Sequence, residues 1–145
     1  MTRSTLALAA GALLLGLAAL QPAAAAVDCR QAQVGAGNEE FNALFAVGSS
    51  AIDARARREI DRAASRIKGR FATEVCLVGR ASQTGDRAAN QRLSQQRINA
   101  VRSALIRQGV QANVLGSRAL GATSHSAGTG QEASGERSVV IVIMR

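Results

Sequence analysis

Tryptophan and tyrosine are absent from the 145 residues, and three phenylalanines are the only aromatics. Single-stranded nucleic acid is held largely by stacking bases on aromatic faces, so the chain lacks the chemistry of that class. Histidine occurs once, at His125, and cysteine twice, at Cys29 and Cys76. A metal site needs more ligands than these. A nucleophile–base pair would need His125 or Cys76 in suitable company, and His125 sits in a Gly-, Ser- and Thr-rich stretch. That stretch contains no Gly-Lys-Ser/Thr element and does not follow a strand-to-helix phosphate turn. The sequence therefore carries no catalytic constellation, no cofactor motif and no metal set. It reads as a non-enzyme.

Acids are scarce too: ten Asp and Glu stand against eighteen Lys and Arg. At the N-terminus, Arg3 precedes an apolar run from Leu6 to Leu20, and Ala24-x-Ala26 follows as a small-residue cleavage site. This is the pattern of a secretory signal peptide over residues 1–26, with a run too short and wrongly flanked for a membrane span. Cleavage there leaves seventeen bases against ten acids, a net charge of +7, with Lys68 the only lysine. Export argues against nucleic acid. It favours envelope polyanions such as wall polymers, lipid headgroups or wall-peptide carboxylates, and bulk charge does not choose among them.

Export also decides how the cysteines read. Two cysteines in an oxidising compartment pair, so Cys29 and Cys76 are expected to form a disulfide. It would close a loop of about 47 residues and contribute about 3–4 kcal/mol, tying an N-terminal segment (27–39) to the domain at 40–145.

Within that domain, Glu40–Val47 is apolar enough for a first strand, and Gly48-Ser49-Ser50 makes a turn. Ile52, Ala56, Ile60, Ala63, Ala64 and Ile67 place one helix face over residues 53–68, closed by Gly69. Arg55, Arg57, Arg58, Arg62 and Arg66 lie largely off that face, with Asp53–Arg57 and Arg57–Asp61 at pairing distance; the basic side is either solvated or a contact for anionic polymer. Glu74–Gly79 is a second strand. A long helix spans residues 86–108 and stops at Gly109. Val110–Ser117 suggests a third strand interrupted by Gly116, residues 121–135 a surface loop, and Ser138–Met144 a strand buried on both faces, in a sheet covered by helices. The order β-α-β-α-β-loop-β predicts an α/β sandwich, two helices packed on one mixed sheet.

The stretch from Gly79 to Val101 joins strand, turn and helix, a place where helix N-termini hold anions. At about 100° per residue, Leu93, Ile98, Ala100, Val101, Ala104 and Leu105 share one arc, and Arg97 falls inside it. An arginine in a core-facing stripe must snorkel, find a partner, or meet an anion.

Asn90-x-x-Leu93-Ser94-x-x-Arg97-x-x-Ala100-Val101, in this order of elements, resembles the OmpA-like C-terminal domain family, which includes MotB and Pal-type lipoproteins. Phe45-x-x-x-Ser49-Ser50, Val78-Gly79, Gly85, Gly109 and Glu136-Arg137 fit the same pattern, so the resemblance covers residues 41–145. It implies a soluble module that binds peptidoglycan by the diaminopimelate of the stem peptide. Arg97 would hold the carboxylate, with Asn90 as the motif asparagine. The aspartate that grips the ammonium group in the family is here Ser82, a neutral acceptor. Loss of one charged hydrogen bond costs about 1.5–3 kcal/mol, roughly 10- to 150-fold in affinity. Asp86 stands four residues on, either as a replacement or as the N-cap of the helix. Arg80 and Ala81 replace the family's usual His or Tyr and Thr, Arg80 repelling an ammonium group, and Ser138 replaces an arginine. Two readings result: a periplasmic wall-binding module weakened at Ser82, or a degenerate OmpA-like fold serving as a protein-interaction or assembly subunit with Arg97 tied up internally.

Overall fold

The computed structural model describes residues 26–81, 85–122 and 137–145. A 3-10 turn at Cys29–Gln31 is followed by β1 (Glu39–Leu44), α1 (Ala54–Gly69), β2 (Val75–Ala81) and α2 (Arg87–Arg107). A second 3-10 turn at Ala112–Val114 leads into β3 (Leu115–Ala122), and β4 (Ser138–Ile143) comes last. The strands form one mixed sheet in the order β1-β4-β2-β3, with β4 antiparallel to both neighbours and β2 parallel to β3. Two helices on a mixed four-stranded sheet is the expected architecture.

All six residues of β4 are buried. Val139, Ile141 and Ile143 face the helices, packing with Leu77, Ile60, Ile98 and Val101 in the main core. Val140 and Val142 face the other way, against Cys76, Val78, Cys29 and Ala32. That second face is covered by the N-terminal segment and not by a helix. The Cys29–Cys76 disulfide (S–S 2.12 Å) pins the segment there. Gly116 marks the crossing: a Cβ on it would lie 2.5 Å from Cys29 Sγ and from the Val27 carbonyl oxygen. The glycine that interrupts the apolar run is thus the strand residue over which the strap passes.

The third strand begins at Leu115, five residues later than its expected start. Val110 is buried, but its N–H closes the end of α2 by donating to Leu105 O (3.1 Å), so it serves the helix cap. The strand also runs into the expected 121–135 loop, as far as Ala122; residues 123–136, with His125, lie outside the described residues. The first helix ends as expected near Gly69, yet the left-handed closing residue is Phe71, at φ 52°.

The expected pairs of Arg57 do not form. Asp53 instead caps α1, its Oδ1 accepting from Ala56 N at 2.7 Å, and Asp61 accepts from Gln108 Nε2 at 2.7 Å, linking the helices. Arg66 and Arg70 both reach Glu39 on β1, at 2.6 and 2.9 Å. Hydrogen bonding from Arg66 holds the Glu39 carboxyl below its ordinary range. This contribution is present at neutral pH and is lost only as pH falls through the depressed value.

The strap makes a stability prediction. Replacing Cys29 and Cys76 together by alanine removes the closed loop and should lower unfolding free energy by about 3–4 kcal/mol in urea titrations. Gly116→Val, which keeps the cysteines, should also destabilise by displacing the strap.

Candidate functional site

Three segments converge at the end of the sheet where β2 leaves it: the β1–α1 turn, the start of β4 and the first half of α2. The helix approaches closely because Gly79 lacks a side chain. A Cβ there would sit 2.7 Å from Ser94 Oγ and Ile98 Cδ1. This brings the buried arc of α2 onto the β2 backbone and carries Arg97 inward with Ser94, Ile98 and Val101.

Arg97 is 0% exposed, the largest fully buried side chain among the described residues. Its Nε donates to Ser49 O at 2.8 Å and its Nη2 to Ala46 O at 3.2 Å. The guanidinium carbon stands 5.4 Å from the Phe45 ring centroid, a cation–π contact. The turn that offers these carbonyls is itself closed by Ser49 N donating to Ala46 O at 3.1 Å, and it reverses at Gly48, φ 65°. Arg137 ties the same turn to β4: Phe45 N donates to Arg137 O at 2.8 Å, and Arg137 Nε donates to Phe45 O at 3.3 Å. Arginines from α2 and the start of β4 therefore both grip the β1–α1 turn.

The other expected residues are placed differently. Asp86 is the N-cap of α2, its Oδ1 accepting from Ala89 N at 2.6 Å. That bond satisfies a helix-end donor through Oδ1. Asn90 lies in the first turn of α2, half-buried, with its N–H donating to Asp86 O. Ser82 lies outside the described residues. Arg80, just before it, has a buried Nε that makes no hydrogen bond among the described residues, and Ser94 Oγ is in the same condition. Cys76 is in the disulfide, and no group of three His, Cys, Asp or Glu among the described residues is placed to hold a metal. The chemistry on offer among the described residues is a fixed guanidinium.

The sequence profile of the OmpA family matches residues 44–138, from the end of β1 to the start of β4. The chain belongs to the OmpA family. Solved structures show the same fold. The OmpA-like domain of FopA1 from Francisella tularensis superposes with a TM-score of 0.65 at 20% identity, covering 72% of this chain and 70% of that one. The peptidoglycan-associated lipoprotein from Burkholderia pseudomallei gives 0.61 at 22%, covering 71% and 88%. The periplasmic domain of Helicobacter pylori MotB gives 0.59 at 21%, covering 71% of each. No curated protein matches the sequence.

In this OmpA-family chain the spacing of the motif selected Arg97 and Asn90, but the groups that hold Arg97 are backbone carbonyls of Ala46 and Ser49. A carbonyl belongs to every residue, so no side-chain pattern marks it. Phe45 was visible as a motif residue, though its contact with Arg97 was not. Asp86 yields a direct test of its role. Asp86→Ala should cost about 1 kcal/mol in urea denaturation and Asp86→Asn only a small part of that, since asparagine also caps. Unchanged stability in the alanine variant would remove the cap.

Proposed function

We propose that the protein is a non-catalytic binding module of the cell envelope, exported by residues 1–26 to the periplasm. It holds a peptidoglycan stem peptide non-covalently through the diaminopimelate carboxylate, with Arg97 as the anchoring cation and Asn90 beside it. The observation that carries this reading is the fixation of Arg97 by Ser49 O, Ala46 O and the Phe45 ring. A guanidinium oriented before the ligand arrives loses little freedom on binding, and it bonds a carboxylate with charge assistance. Family membership and a fold shared with a peptidoglycan-associated lipoprotein support the same reading. Ser82 at the aspartate position makes the grip weak, because the ligand ammonium meets a neutral acceptor, while Arg80 favours anions over zwitterions. Asp86, four residues on, caps α2 through Oδ1.

One observation favours a second reading. The complete burial of Arg97, with Nε and Nη2 both turned onto carbonyls, is what a retired pocket would have. The domain would then be an interaction or assembly subunit that kept the OmpA fold without its ligand.

Titration of the oxidised protein with a diaminopimelate-containing stem peptide, followed by amide NMR at about 150 mM salt, separates the two. A wall-binding site gives shifts centred on residues 79–97 that vanish in Arg97→Ala. Ser82→Asp should then tighten binding by roughly 10- to 150-fold. A parent protein without shifts, alongside a Ser82→Asp variant that binds, would establish the second reading.

A further inference from the structure

The two helices end in the same hydrogen-bonded motif but with different residues at its left-handed position. After α2, Gly109 (φ 86°) donates to Ile106 O and Val110 to Leu105 O. After α1, Phe71 (φ 52°) donates to Lys68 O and Ala72 to Ile67 O. Glycine takes this conformation freely, whereas a bulky side chain is strained in it. Phe71 is also 88% exposed, so neither packing nor backbone preference accounts for the residue. Ile106, in the last turn of α2, is 41% exposed at the same end of the molecule. Phe71 lines a groove of about 340 Å³ together with Ala72, Val114 and the polar Lys68, Thr73 and Gln111.

The charge of the helical layer is as one-sided. Residues 53–70 and 86–108 hold twelve bases against four acids. All four acids are engaged: Asp53 and Asp86 as N-caps, Asp61 with Gln108, and Glu59 with Arg62. Arg55, Arg57, Arg58, Arg87, Arg92 and Arg107 are exposed and make no ion pair among the described residues. On the opposite side Arg30 pairs with Asp28, and Arg118 donates to Arg30 O.

We propose that the helical layer is a docking surface for an anionic phospholipid membrane, with Phe71 and Ile106 entering the headgroup boundary and the unpaired arginines on lipid phosphates. Guanidinium groups bind phosphate in a fork, and an exposed aromatic beside them is the pairing that interfacial attachment uses. Phe71 and Ile106 lie at the C-terminal ends of the helices, and Arg55, Arg57, Arg58, Arg87 and Arg92 toward their N-terminal ends, so the layer lies along the membrane. Arg97 is buried within the domain at 0% exposure, and the inference does not rest on stem-peptide binding.

The test is co-sedimentation with vesicles of phosphatidylcholine, with and without one-third phosphatidylglycerol, at about 150 mM salt. The protein should bind only the anionic vesicles. Arg55→Gln/Arg58→Gln/Arg107→Gln should weaken binding on the order of 100-fold, at about fivefold per arginine. Arg30→Gln/Arg118→Glu, which removes equal charge on the opposite side, should change it by less than about fivefold. Phe71→Gly should bind about tenfold more weakly yet melt no lower than the parent, because glycine suits the left-handed position. Absence of binding to anionic vesicles overturns the proposal. So does equal loss in the two charge variants, which would mean bulk charge alone, or undiminished binding by Phe71→Gly. Retention of the parent by an acidic protein but not by vesicles would assign the surface to a protein partner and likewise overturn it.

Discussion

A strand buried on both faces sets the terms for the whole molecule. β4 pairs with β1 on one side and β2 on the other, and every one of its six side chains is buried. Val139, Ile141 and Ile143 are covered by two helices, so Val140 and Val142 need a cover of their own. Among the described residues that cover is the short segment before β1, which contributes Val27, Cys29, Ala32 and Val34. Cys29–Cys76 solves this by removing the freedom that the segment would otherwise keep. Gly116 gives it room to lie flat. Sheet order, disulfide and one glycine are thus parts of a single solution to one exposed apolar face.

The second constraint is the cation inside the core. Burial of a guanidinium is costly unless its N–H groups are met. Carbonyls of the β1–α1 turn meet Nε and Nη2, Nη1 makes no hydrogen bond among the described residues, and the Phe45 ring adds its negative face. The turn, in return, is fixed from α2 by Arg97 and from β4 by Arg137. Any ligand of Arg97 is consequently felt by three elements at once. The end of the domain that carries the motif is also the end whose connections are held by side chain-to-backbone bonds.

Much of this was legible before the structure. The helices over residues 54–69 and 87–107 follow from spacing and caps that the residues advertise, and the continuous run Ser138–Ile143 announces a central strand. The pairing of the cysteines followed from the expectation of export. Local competition defeated the rest. Val110 resembles a strand residue but spends its N–H on the end of α2. Asp53 and Asp61 have the right spacing to pair with Arg57, but a backbone N–H and Gln108 claim them first. In each case two groups compete for one partner, and the winner depends on distances that a linear reading does not contain.

By itself the sequence determined the alternation of elements, the place of Arg97 on the inward arc of α2 and the unequal ratio of bases to acids, because periodicity and composition are properties of residues taken in order. Tertiary structure alone decided that Arg97 is held by carbonyls of a turn some fifty residues earlier, that a strap covers the second face, and that Phe71 stands exposed at the end of α1. Those outcomes depend on which backbone atoms are brought within about 3 Å of a side chain, and only the folded packing of helix against sheet sets that distance.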